Sequence, residues 1–318
     1  MLKRRFFSMK KSLFFLFLVI IALLVISCKK TDITPAYLLL SEKDFEDCIE
    51  DDLVKFNKAH EKNYDEEQFN AIRQQSFKDV LVSINGKELG YWKLPCKIPL
   101  LPNYSAQNNI RIIPCTRVPK TSLTTVPYYF LQPVERFFDL EKGDTCEFKN
   151  VKFEYVSGID FPILETFSKT TPFKPLDTIF KAPMEIVYNQ EMKKNVGTVV
   201  LDGSEKFFNV VTSYIYLNGY GVRQYWEMYY KCESGEVVTY LDFQNTVTNV
   251  HQQDMYILPA TDGWKKVYID LTDVVTWACG SADRVSVRLG MRGYKTSDSQ
   301  KATFYFENVK LITMYAPY

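Results

Sequence analysis

Three groups of residues in this sequence have types and spacings that could do chemistry. The first centres on Cys28. Lys3, Arg4, Arg5, Lys10 and Lys11 lead into an apolar run from Leu13 to Ile26, which closes with Val25-Ile26-Ser27 before the cysteine. A basic start, a short hydrophobic run and small or apolar residues before a cysteine are what a lipoprotein-processing peptidase requires. Residues 1–27 are therefore expected to be a signal peptide and Cys28 the lipidated first residue. The run falls short of the ~20 apolar residues that span a bilayer, which argues against an uncleaved transmembrane helix.

The second group is aromatic and polar. Strand alternation over 225–231 places Tyr225, Glu227 and Tyr229 on one face and Trp226, Met228 and Tyr230 on the other, the second set reading as core. The first set, with Arg288 and Arg292 from one strand and Tyr305 and Glu307 from another, could form a sugar-binding surface. Aromatic rings stack on the C–H faces of sugars, while carboxylates and guanidinium groups hydrogen-bond the hydroxyls. The competing explanation is that tyrosines suit half-buried strands.

The third group is a pair of carboxylates, Glu227 and Asp242, on neighbouring predicted strands. A glycosidase needs two such groups at a defined separation, but solvent-facing strand acids are also common. Histidine catalysis has little support, because His60 and His251 lie in different regions and no serine nucleophile elbow accompanies either. Gly219 and Gly221 read as turn glycines without the context of a phosphate loop. The acids Glu46, Asp47, Glu50, Asp51 and Asp52 read as a solvated helix face, since no glycine turn accompanies them.

The elements that must position these groups are mostly strands. The chain has 318 residues with 46% hydrophobic and 15% aromatic content, enough for about two domains. A formal net charge of +1, from 39 basic and 38 acidic residues, argues against a nucleic-acid partner. Cys48, Cys96, Cys115, Cys146, Cys232 and Cys279 lack metal-ligand spacing, which argues against zinc. Lysine rather than aspartate follows Cys28, favouring the outer membrane, with cell-surface exposure left open.

After a tether over 28–36, a strand at 37–40 precedes a helical insertion at about 43–75. There Ser41 is expected to cap a helix carrying Phe45, Ile49, Leu53 and Phe56, and a second short helix is expected at Glu66 to Arg73. Val80 to Ile84, Asn85-Gly86 and Leu89 to Leu94 read as a hairpin. A second hairpin, Leu94 to Leu101 with Ile110 to Val118, would set Cys96 opposite Cys115. Their disulfide and a pair of buried free thiols are both open. Phe148 to Val156 alternates and is expected to close a first sandwich over 37–157.

The distal part, 158–318, reads as strands at Gly197 to Leu201, Phe207 to Leu217, Tyr225 to Cys232, Glu236 to Gln244, Trp264 to Asp270, Arg284 to Met291 and Thr303 to Ile312. The expected fold is mainly β, with two β-sandwich domains: a small Ig-like sandwich with a helical insertion, then a jelly roll.

The run from Asp79 to Gly90, with Leu94-Pro95 and Lys97 to Leu101, resembles uncharacterised outer-membrane lipoproteins of Bacteroidota. Trp226 to Lys231, Gly263 to Leu271 and Phe304 to Leu311 resemble galactose-binding-like jelly rolls of the carbohydrate-binding-module type. Cys115 stands where a glycine is expected, and the helical insertion is longer than usual. The resemblance implies a lipid-anchored envelope protein that binds glycan or an envelope protein partner without catalysis. A structural lipoprotein without a small ligand, or a carbohydrate-active enzyme using paired carboxylates, are the alternatives. No cofactor is expected, but jelly rolls resembling this one often hold a structural calcium where the first and last strands meet, and Asp160 and Glu307 are the oxygen donors that resemblance points to.

Overall fold

The computed structural model describes residues 34–119, 123–176, 182–245, 251–296 and 301–315; Cys28 and the signal segment lie outside them. No helix among these residues is long and apolar enough to cross a membrane. The protein is mainly β, with mostly antiparallel sheets forming sandwiches and a small helical insertion near the N-terminal end.

The first half begins with β1 (Ala36–Leu40), followed by α1 (Leu53–His60) and α2 (Glu66–Arg73). Then come β2 (Asp79–Ile84), β3 (Lys87–Lys93), β4 (Cys96–Leu100), β5 (Asn108–Pro119), β6 (Leu123–Pro127), β7 (Val134–Phe138) and β8 (Thr145–Glu147). One sheet runs β4-β1-β8 and the other β3-β2-β5-β6, with β7 also on β5. Asn85 and Gly86 both have positive φ, 51° and 77°, which turns β2 directly into β3.

α2 occupies the expected residues because Asp65 accepts from the Gln68 backbone while the Gln68 side chain accepts from Asp65 N, a reciprocal capping box. The Ser41 helix does not form. Ser41 caps only a 3-10 turn at Glu42–Phe45, Ile49 forms an isolated bridge to Phe153, and Asp52 caps a separate α1. The expected hairpin bearing Cys96 and Cys115 is also replaced. β4 pairs with β1 and β5 with β2, so the two cysteines sit in different sheets and are free. Phe148, Val151, Phe153 and Tyr155 are buried in near alternation, but without a continuous strand.

The second half contains β9 (Ile159–Glu165), β10 (Lys174–Pro175), β11 (Glu185–Asn189), β12 (Lys194–Leu201), β13 (Phe207–Val211) and β14 (Ile215–Asn218). It continues with β15 (Val222–Cys232), β16 (Glu236–Asn245), β17 (Gln252–Pro259), β18 (Lys265–Asp270), α3 (Thr272–Cys279), β19 (Arg284–Tyr294) and β20 (Ala302–Tyr315). A proximal sheet runs β11-β12-β20-β15-β18 with β9 also on β20. An outer sheet runs β10-β13-β19-β16-β17 with β14 also on β19.

Between the two sheets lies a core that includes Trp226, Met228, Phe304 and Phe306 from one and Phe208, Phe243, Leu289 and Met291 from the other. The core of the first half reaches into the second, taking in Tyr225, Tyr268, Ile312 and Met314 from the outward face of the proximal sheet.

A bulge interrupts β20 where it pairs with β15. Glu227 pairs with Lys310 but Tyr229 pairs with Glu307, and Asn308 has φ 49°. The extra residue shifts the alternation, so Phe306, Val309 and Leu311 enter the core while Glu307, Asn308 and Lys310 stay off it.

Candidate functional site

The proximal sheet turns its polar face toward the helices of the first half, and that face is closed. Glu227, Asn308 and Lys310 are fully buried, as are the side chains of Lys266 and Glu307 to within 2%. α2 ends against them. Lys310 Nζ donates to Ala71 O at 3.1 Å and Ile72 O at 2.9 Å, and Asn308 Nδ2 donates to Ala71 O at 2.7 Å. Tyr155 OH adds a bond to Ile72 O at 2.9 Å. The last carbonyls of a helix have no internal partners and carry partial negative charge, so an ammonium and an amide satisfy and complement them.

Glu227 is the hub. It accepts from the Tyr128 hydroxyl and from Gln75 Nε2 at 3.2 Å, and the Lys266 and Lys310 ammonium groups each lie 3.5 Å from its Oε2. Gln75 also donates to Tyr155 OH at 3.0 Å and accepts from Tyr268 OH at 3.0 Å. Burial by itself would raise the Glu227 carboxyl, but Lys310, Lys266 and the Tyr128 bond outweigh it and hold the group below its usual range. Lys266 moves the other way: burial, reinforced by Lys310, pushes it down to about 7. Its ammonium lies over the rings of Tyr229 at 4.7 Å and Tyr268 at 5.6 Å. This arrangement joins the two halves and leaves no room for a ligand on Tyr225 or Glu227.

A cleft of about 580 Å³ opens beside the joint, lined mostly by polar side chains that include Glu67, Arg73, Gln74, Lys194 and Asn195. Lys194 pairs there with the buried Glu307, whose carboxyl is raised by burial against the pull of that lysine.

The outer sheet is different, because its outward face meets solvent. Arg284, Arg288 and Arg292 recur every four residues along β19, and each guanidinium lies over a tyrosine. Arg284 sits over Tyr216 at 4.7 Å, Arg288 over Tyr214 at 4.7 Å and Arg292 over Tyr240 at 5.5 Å. Arg288 donates through Nε and Nη2 to Asp242 Oδ2 at 2.7 and 2.6 Å, and Arg292 Nη2 to Asp254 Oδ2 at 2.5 Å.

Tyr240 lies flat across Gly290, where a Cβ would come within 2.1 Å of its ring, and its hydroxyl donates to Asn209 Oδ1 at 2.5 Å. Tyr216 is 64% exposed, and the Phe207 and Tyr294 rings, both over a third exposed, stand 6.2 Å apart at the other end of β19. The strip from Arg284 to Tyr294 is roughly 33 Å long at about 3.3 Å per residue. It offers the partly exposed rings of Tyr214, Tyr216, Phe207 and Tyr294, with Tyr240 buried beneath Arg292, together with two guanidinium groups held rigid by ion pairs.

The structure thus divides the sequence-predicted surface. Tyr225, Glu227 and Tyr229 lie on the proximal sheet against the first half, whereas Arg288 and Arg292 lie on the opposite sheet. Tyr305 is on the proximal sheet near its far end, its ring 6.2 Å from that of Trp264. Glu227 and Asp242 face opposite sides of the sandwich, one buried in the joint and the other on the outer face, so they cannot flank one bond.

Asp160 pairs with Thr313 in the ladder and with Lys62 at 2.6 Å, six residues along β20 from Glu307, roughly 20 Å by strand rise. That separation cannot hold one calcium, and no cluster of metal-ligating side chains occurs among the described residues. Tyr214, Tyr216, Tyr240, Asn209 and Asp254 escaped sequence reasoning. The signal was present in Tyr214 and Tyr216, two residues apart in a predicted strand and so on one face.

No protein-family model matches the chain, and no curated protein matches it in sequence. Among solved structures it is similar to the family 11 carbohydrate-binding module of the cellulosomal cellulase Lic26A-Cel5E of Clostridium thermocellum. That similarity covers 48% of this chain and 94% of that one, at 15% identity and a TM-score of 0.33. A family 29 carbohydrate-binding module from Piromyces equi is similar over 50% of this chain and 91% of its own, at 10% identity and a TM-score of 0.32. A Clostridium thermocellum endo-1,4-beta-D-xylanase 10B chain, with CBM22-1 and GH10 modules, is similar over 48% of this chain and 28% of its own, at 12% identity and a TM-score of 0.35. Each likeness is one of β-sandwich architecture.

Proposed function

We propose that this chain is a lipid-anchored outer-membrane protein whose distal sandwich binds glycan without catalysis, through the outward face of the outer sheet. The observation that carries the reading is the row of tyrosine-backed arginines on that face, two of them locked by Asp242 and Asp254. Exposed rings can stack on sugar C–H faces, and fixed guanidinium and carboxylate groups present planar hydrogen-bonding edges without an ordering cost at binding. The length of the strip suits an extended chain of sugars rather than a single one. The reading of Cys28 as the anchor rests on the lipobox pattern, and Cys28→Ser should abolish labelling by radioactive palmitate.

The test of the binding face is a glycan array probed with the full chain in non-ionic detergent. Wild type is expected to bind a defined set of polysaccharides, and the Tyr214→Ala/Tyr216→Ala double variant to lose them. Wild type that binds no glycan, or a double variant with an unchanged pattern, contradicts the assignment.

A further inference from the structure

The three arginines of β19 are not equivalent, and their difference points to a class of ligand. Arg288 and Arg292 are neutralised by Asp242 and Asp254 and are each about a quarter exposed or less in their side chains. Arg284, at the start of the strand, is exposed and stacks on Tyr216, the most exposed of the three tyrosines in the row. No carboxylate lies within ion-pairing distance of it among the described residues.

The face therefore carries an uncompensated positive charge at one end, beside its most accessible ring, and paired, nearly neutral groups along the rest. A neutral polysaccharide would make use of the rings and paired groups but would leave Arg284 without a counterpart. A chain bearing a carboxylate beside a sugar ring fits both, because the ring can cover Tyr216 while the guanidinium takes the carboxylate through two parallel hydrogen bonds.

We infer that the outer face selects acidic glycans, binding a uronate residue at the Arg284/Tyr216 end and the adjoining sugars along the strip toward Tyr214 and the Arg288–Asp242 pair. This rests on the assignment of the outer face as the glycan-binding surface and adds the charge of its ligand. The Arg284–Tyr216 stack is the specificity element. The locked Arg288–Asp242 and Arg292–Asp254 pairs serve hydroxyls and repel additional charge of either sign less than a bare ion would.

The experiment uses the full chain in non-ionic detergent with three uronate polymers, polygalacturonate, alginate and hyaluronan, and the carboxyl-reduced form of each. Reduction keeps the backbone and removes the charge. The expected result is that at least one acidic polymer binds more tightly than its reduced form, by at least about tenfold at low salt, and that the advantage shrinks as salt rises. Arg284→Gln should remove that advantage, bringing the affinities for the acidic and reduced polymers together, while Arg284→Lys, which keeps the charge, should retain part of it.

Equal binding of acidic and reduced polymers by wild type, or an acidic preference that survives in Arg284→Gln, overturns the acidic specificity and leaves glycan binding standing. Absence of binding to any polymer here and to every glycan on the array overturns both. Because Arg284 is exposed and makes no ion pair with a described residue, a loss of binding with unchanged circular dichroism reports on recognition rather than folding.

Discussion

Glu227 is a carboxylate without solvent, and its charge is tolerated because two ammonium groups, a tyrosine hydroxyl and an amide converge on it. Removing one member of such a group leaves the others uncompensated, which typically costs about 3–5 kcal/mol. Glu227→Gln is therefore expected to lower unfolding stability by about that amount in urea titrations. A loss near zero would mean that the lysines are solvated in the folded protein.

Lys266 gives the same joint a pH signature. In the fold it is neutral above about 7, whereas a lysine of ordinary pKa 10.5 stays protonated in the unfolded chain, so unfolding takes up a proton between these values. Stability should accordingly rise with pH across that window on account of this group, and the rise should be missing in Lys266→Met. Urea midpoints at about pH 7 and about pH 9 for the two proteins measure it. Alternation put Glu227 with Tyr225 and Tyr229 on one face, and the structure keeps them there. What alternation could not disclose is that the face is covered, because its partner Gln75 lies 152 residues earlier in the chain.

At the scale of elements, the joint depends on a helix end meeting a strand irregularity. α2 presents the carbonyls of Ala71 and Ile72, and the bulge at Asn308 brings an amide and Lys310 to them. Asn308→Ala loses the bond to Ala71 and puts at φ 49° a residue that tolerates the left-handed region less well than asparagine, so a loss of about 1–3 kcal/mol is expected. Asn308→Gly removes the bond while relieving the backbone, and should cost less than alanine in the same thermal melts; the reverse order would show that the bulge does not rely on the positive φ.

Elements governed by local chemistry were legible: α2 through its cap, β2 and β3 through Asn85-Gly86, and most distal strands through period two. Those governed by distant pairing were not. β4 and β5 look like neighbours in sequence but pair with β1 and β2. β9 starts just after Gly158 and contains Pro162, residues that interrupt regular pairing, yet it forms an edge strand on β20 with Pro162 outside its paired register.

For the whole molecule, the consequence is a division of labour between the two faces of one sandwich. The proximal sheet spends its polar residues on attachment to the first half, and the outer sheet leaves Tyr214, Tyr216 and Arg284 exposed on its outward face. The expected sugar surface was assembled from residues of both sheets, since a sequence shows which residues share a strand face but not which of two packed sheets a strand joins. Arg288 and Arg292 stayed on an accessible face, while Tyr225, Glu227 and Tyr229 became part of the joint.

This division is tested most directly by titrating the glycan with the strongest array signal into wild type, the Tyr214→Ala/Tyr216→Ala variant and Tyr229→Phe. A loss of affinity of about tenfold or more is expected for the outer-face pair, equivalent to about 1.4 kcal/mol, with an unchanged affinity for Tyr229→Phe. Unchanged binding in the outer-face variant together with a loss in Tyr229→Phe would contradict the division.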